Sequence, residues 1–369
     1  MTSVRAVELR LFGLPLLRPF RTSFGTDTEK VAILVRVVTD DAEGWGECVA
    51  GPEPDFSEEF NEGAWRILRD FLVPRLFAAG DVTADDLARI FTGVRGHPMA
   101  KAAAVDAFLD AELRAADRSL AANLGADKDR VACGVSVGIA ASTDQLLEQV
   151  DGYLAEGYRR IKLKIEPGLD VERVAAIRSA HPDIMLSVDA NAAYTLDDVA
   201  VFHALDVFDL LMIEQPLHHE DLVEHAKLQS RIRTDICLDE SIRSPADAAA
   251  AIELGACRIV NIKQGRVGGL LEAKRVHDVA RAAGVPVWCG GMLESGVGRA
   301  TNLSLAALPG FVLPGDTSPS SRYFADDLTE PFVMEPDGTM AVPSGPGIGV
   351  TPRSDRLRAC TLRVETLEP

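Results

Sequence analysis

One spacing constrains this chain more than any other feature. Charged residues recur at Lys164, Asp189, Glu214, Asp239 and Lys263, at intervals of 25, 25, 25 and 24 residues. Each sits at or near the end of a short apolar run: RIKLKI, IMLSVD, LLMIE, DICLDE and CRIVNIK. Three further runs extend the series, VACGVSVG before it and VPVWCGG and FVLPGD after it. Between the runs lie amphipathic stretches such as DVERVAAIRSAH and LLEAKRVHDVARAAG. Short β-branched runs bounded by loops read as buried strands, and the intervening pattern reads as helix. Eight strand–helix units of near-equal length predict an α/β fold built on a parallel β/α barrel over residues 126–325. An open doubly wound sheet has no need of eight equal units.

The remainder of the chain reads differently. VAILVRVVTDDAEGWGECVA holds two strand-like runs around a DDAEG turn, which predicts a hairpin. Helical stretches are expected around 57–78, 83–92 and 99–117. Residues 1–125 therefore form a separate α+β domain, and residues 326–369 are expected to fold back on it. No linker rich in Gly, Pro or Ser separates the parts.

In a β/α barrel the chemistry sits at the C-terminal strand ends. The five recurring charges fall there and would form one ring. Three carboxylates in the middle of such a ring stay ionised together only if a cation joins them. The ligands are oxygen only, with no cysteine or histidine at equivalent positions, so Mg²⁺ or Mn²⁺ is expected rather than zinc. The lysines flank the carboxylates. In KLK, Lys162 and Lys164 share one strand face. Lys162 is read either as a tuner that lowers the pKa of Lys164 or as the partner of a carboxylate. Two amine bases around a carboxylate-bound divalent ion suit removal of a proton α to a carboxylate.

The formal net charge of −18 disfavours nucleic acid or an anionic membrane as a partner. No apolar run of membrane-spanning length is present. MTSVRAVELRLFGLPLL interrupts its apolar residues with charges, so no signal peptide is expected. The six cysteines are scattered without a CxxC pair, which reads as free thiols in a reducing cytoplasm. In HHEDLVEH, His219 and His225 are six apart and share no helical face, so no zinc motif is read there and only His218 is given a substrate-facing role.

The segments KLKIEPG, SVDANAAY, LMIEQPL, CLDESI, VNIKQGRVGG and WCGGMLESGVGR, with PFRTSFGT and GWGECVAGP near the start, resemble the muconate-lactonizing subgroup of the enolase superfamily. Within it, the chain looks most like the o-succinylbenzoate synthases and N-acylamino acid (N-succinylamino acid) racemases. The resemblance implies a (β/α)7β modified TIM barrel under an N-terminal capping domain. It implies Mg²⁺ or Mn²⁺ on Asp189, Glu214 and Asp239, acid/base roles for Lys164 and Lys263, and Lys162 and Asn191 near the metal and substrate carboxylate. Glu240 is expected behind the ligands, turned away by strand parity. Loops Phe20–Phe24 and Gly51–Phe56 would shape the pocket, which makes Phe20 and Phe24 substrate contacts. Ser136 and the turn Gly290–Gly296, with Gly291 and Met292, are candidate donors to the distal acyl group, although the turn's glycines are equally read as a cap on strand seven. Arg266 is read as a racemase feature or as a solvated loop arginine. The expected substrate is a small-molecule carboxylate, and the expected assembly is a homo-oligomer. Muconate cycloisomerase and dipeptide epimerase are the alternative activities, the latter pointing to Asp316 in LPGD. A non-catalytic metal-binding scaffold is the remote alternative.

Overall fold

The computed structural model describes residues 3–22 and 25–369. The first domain opens with β1 (Val4–Arg21), β2 (Thr26–Thr39) and β3 (Glu43–Cys48), an antiparallel meander. The hairpin around DDAEG is β2–β3. In β1, alternation places Val7 and Leu9 in the core while their neighbours face outward. Behind the sheet runs the helix Pro98–Ala115. It packs flush on β3 because that strand carries glycine at Gly44 and Gly46. A Cβ on Gly46 would lie 2.1 Å from the Ala103 carbonyl oxygen. The expected helices near 57–78 and 83–92 appear as Asn61–Ala79, which contains one wider turn, and Ala84–Phe91.

The second domain is a curled parallel sheet in sequential order: β5 (Gly134–Val137), β6 (Arg160–Lys164), β7 (Met185–Asp189), β8 (Ile213–Glu214), β9 (Ile236–Leu238), β10 (Ile259–Ile262) and β11 (Val287–Cys289). Just before it, β4 (Arg130–Ala132) pairs with β12 (Thr339–Ala341) as a separate two-stranded ribbon. The eighth run, FVLPGD, is not a regular strand. It touches its neighbours through two single bridges, Val287↔Phe311 and Cys133↔Gly315. Pro314 lacks the N–H that a ladder needs at that point. Beneath the strand ends, Met212, Cys237, Ile259 and Trp288 form a small buried apolar cluster.

The chain then returns to the first domain. β13 (Thr361–Leu367) pairs antiparallel with β1 and completes the sheet order β13–β1–β2–β3. Glu47 on β3 reaches the other domain. It accepts hydrogen bonds from the Ser295 N–H, the Ser295 hydroxyl and the Gly298 N–H, at the start of the helix Gly296–Ala306. Among the described residues no helix is long and apolar enough to cross a membrane. All six cysteines are buried free thiols.

Candidate active site

Parallel register brings the recurring charges together. Lys164 lies beside Asp189, and Asp189 beside Glu214. Asp239 and Lys263 each follow directly on the end of their strands, β9 and β10. All three carboxylates are buried. Each meets a lysine at 2.7 Å: Lys164 Nζ donates to Asp189 Oδ2, Lys162 Nζ to Glu214 Oε2 and Lys263 Nζ to Asp239 Oδ2.

Lys162 has an outcome of its own. It lies within 3.2 Å of Asp189 and 2.9 Å of Asp316, besides Glu214, and sits over the Trp288 ring. Burial would lower its pKa, but Asp316, Glu214 and Asp189 more than reverse that and hold it above the ordinary lysine range. Of the two readings of Lys162, the structure shows the carboxylate partner: its charge is shared among Asp189, Glu214 and Asp316. Burial likewise pushes the Asp189 carboxyl up, and Lys164 and Lys162 bring it below the usual carboxylate range. Glu214 is raised, by burial first and then by Asp189.

Asn191 links the ring to its surroundings. Its Oδ1 accepts from Lys164 at 2.6 Å, and its Nδ2 donates to Glu240 at 2.9 Å. Glu240 is thus joined to the ring through Asn191. Asn261 donates to Glu214 Oε1 at 2.6 Å.

A cavity of about 130 Å³ opens above this ring. Lys164, Lys263, Asn191, Gly291, Met292 and Phe20 all line it, joined by Lys30, Asp27, Asp55 and Phe56 from the first domain. The Phe56 ring lies 4.7 Å from Lys263 Nζ. A groove of about 370 Å³ elsewhere has neither Lys164 nor Lys263 in its wall. Gly290 serves the site by absence of bulk. A Cβ there would come within 2.3 Å of Asn261 Oδ1 and 2.8 Å of Lys263 Cε.

Other expected residues are placed away from this cavity. Ser136 is buried beside Lys162 in the strand register and does not line it. Arg266 is not a solvated loop residue. It is buried, it donates to the carbonyls of Ile242 and Asn261 at 2.8 and 2.7 Å, and it pairs with Asp239. Desolvation lowers its pKa to about 9. His218 is exposed, stacks on His219 and does not line the cavity, so its substrate-facing role is withdrawn. Phe24 lies outside the described residues. Asp316 is held by Arg160 at 2.5 Å and by Lys162, and so is not free to receive a substrate amino group. Asp316 ends the eighth run but was named only for an amino group, while its neighbour in the ring Asn261 and the cap residues Lys30 and Glu47 carried no periodic signal. Pairing across distant strands cannot be read along one of them.

Among the described residues no three carboxylate, histidine or cysteine side chains converge as a metal cage. The donor chemistry nevertheless fits a hard divalent ion: three buried carboxylates on adjacent strands, all oxygen donors.

Known proteins give the family of the chain. The family described as mandelate racemase / muconate lactonizing enzyme, N-terminal domain, matches residues 6–125, and the family described as enolase C-terminal domain-like matches residues 145–356. The chain is 57% identical to an N-succinylamino acid racemase of Amycolatopsis sp over 96% of both chains. It is 50% identical to an o-succinylbenzoate synthase of Geobacillus kaustophilus over 94% of this chain and 93% of that one. A solved enolase-superfamily structure from Listeria innocua Clip11262 superposes with TM-score 0.96 at 40% identity, covering 100% of both chains. Members of this family use divalent metal ions and act on small molecules. The chain belongs to the enolase superfamily, in the family of o-succinylbenzoate synthases and N-succinylamino acid racemases, which are lyases and isomerases.

Proposed function

We propose that the protein abstracts the proton α to a substrate carboxylate, racemising N-succinylamino or other N-acylamino acids, dehydrating a cyclohexene carboxylate to o-succinylbenzoate on the menaquinone route, or both. One observation carries this reading. Lys164 on β6 and Lys263 after β10, with three strands between them, line one cavity, and each has its own carboxylate.

In racemisation one lysine, as the neutral amine, takes the α-proton. The other, as ammonium, returns a proton to the opposite face of the planar carbanion. In the synthase one lysine takes the α-proton and protonates the departing hydroxyl, while the other stabilises the anion as a cation. Asn191 fixes the Lys164 ammonium, and Phe56 covers Lys263. Asp189, Glu214 and Asp239 are assigned as ligands of Mg²⁺ or Mn²⁺, which supplies positive charge to the substrate carboxylate oxygens as charge develops on them. Lys162 and Asn261 position Glu214. The dipeptide epimerase alternative loses support because Asp316 is engaged by Arg160 and Lys162.

N-succinyl-L-phenylalanine in D₂O with Mg²⁺, followed by NMR and polarimetry, tests this reading. Loss of the α-proton together with optical rotation is expected. Exchange without loss of rotation would leave the dehydration alone. No turnover of either substrate would refute the proposal. A cytoplasmic homo-oligomer is proposed as the working form. The buried free thiols support the compartment, and light scattering in solution tests the assembly.

A further inference from the structure

Three ammonium groups line the cavity among the described residues: Lys164, Lys263 and Lys30. Lys164 is paired with Asp189, and Lys263 with Asp239. Lys30 differs. It comes from β2 of the cap, is only 7% exposed, and makes no ion pair among the described residues. Its Nζ donates to two main-chain carbonyls, Val49 at 3.1 Å and Met292 at 2.9 Å.

An ammonium has three donors, and two are used here. Neutral carbonyls do not cancel a buried charge, so such a cation gains most from an arriving anion. The carboxylate of Glu47 opposes the charge of Lys30 through space, but its hydrogen bonds go to Ser295 and Gly298, so the third donor of Lys30 stays open toward the cavity. The carbonyls also aim the group. Val49 follows β3 of the cap, and Met292 belongs to the barrel turn that lines the cavity. The two catalytic lysines approach from the barrel, and the third cation approaches from the cap.

We propose that Lys30 receives a terminal carboxylate on the acyl arm of the substrate. The proposal deepens the α-proton reading and rests on it for the identity of that arm. The reacting carboxylate lies at the barrel end of the cavity, and a second one reaches up to the cap. An N-succinyl group and the side chain of o-succinylbenzoate share the same four-carbon arm ending in a carboxylate. One cation would serve both reactions. An N-acetyl substrate offers Lys30 nothing.

The test compares wild type, Lys30→Gln and Lys30→Arg with N-succinyl- and N-acetyl-L-phenylalanine in the presence of Mg²⁺. Racemisation kinetics and calorimetric affinity are both read. Glutamine still donates to a carbonyl but has no charge, so its preference for succinyl over acetyl is expected to fall about 10- to 100-fold, mainly through KM. Arginine is expected to restore most of it. Equal losses for both substrates would overturn the proposal and leave Lys30 as a brace between Val49 and Met292. Should wild type exchange no α-proton, calorimetry still decides. A selective loss of N-succinyl affinity in Lys30→Gln would keep the acyl site and discard racemisation, and no selective loss would discard the site.

Discussion

A carboxylate beside a lysine inside a protein is stable only as a matched set, because removing one partner leaves the other buried and charged. The ring of Lys162, Asp189, Glu214 and Asp316 is such a set. Replacing Asp316 by Asn is therefore expected to cost about 3–5 kcal/mol, since Arg160 loses its anion and Lys162 loses one of its three. Chemical denaturation of the purified variant reads this directly, and an unchanged midpoint would refute it. Lys164→Ala and Lys263→Ala are each expected to lower racemisation at least about 10²-fold with the fold intact. Retained turnover in either would remove the two-base mechanism. Asp239→Asn is expected to weaken Mg²⁺ binding by calorimetry, and unchanged affinity would take Asp239 out of the ligand set. The 25-residue spacing made Lys164, Asp189, Glu214, Asp239 and Lys263 legible before any coordinates, because a barrel repeats its strand ends. Lys30 and Glu47 were not legible. Their partners, Met292 and Ser295, lie some 250 residues away, and no local pattern encodes that distance.

At the scale of elements, the cap meets the barrel through a helix with an acid at its centre. Asp106 lies fully buried in Pro98–Ala115, and its Oδ1 accepts from Leu270 N–H at 2.9 Å, at the start of the helix Leu270–Ala282. Burial raises this carboxyl to about 7, and the Leu270 hydrogen bond reverses only part of that rise. An unfolded aspartate ionises near 3.9. Below about pH 4 both states hold the proton, and the contribution to stability is complete. Between about 4 and 7 the unfolded chain ionises while the folded one does not, so stability drains away as pH rises through 7. Asp106→Asn keeps the acceptor and removes the titration. Urea midpoints across pH 5 to 8 should fall less in the variant than in wild type, by an amount on the order of a few kcal/mol in stability. Identical slopes would show that Asp106 does not titrate in this range. Elements with a clear local composition, such as the alanine-rich Pro98–Ala115 and the β2–β3 hairpin around its turn, were readable from sequence. The eighth barrel run was over-read as a strand, because its apolar character reflects burial while Pro314 interrupts pairing.

The whole molecule is held as one body by contacts that cross between its parts. Glu47 is the clearest. Alanine there would strip the partners from the Ser295 and Gly298 N–H groups at a buried helix start. The expected cost is about 2–4 kcal/mol, read by thermal unfolding. A loss below about 0.5 kcal/mol would mean that other contacts carry the join. The N-terminal domain and the barrel were each legible, and the tail was expected to fold back on the first domain, but the register of β13 on β1 was not legible, because it depends on a strand about 350 residues earlier. That pairing has a consequence for how the protein is made. β1 leaves the ribosome early and must wait, with one edge open, through the synthesis of the entire barrel before β13 arrives to cover it. An unpaired strand edge is a template for the wrong neighbour. Among nascent chains, the interval between residues 21 and 361 is therefore the period in which crowding on a polysome, or a stall in translation, is most damaging.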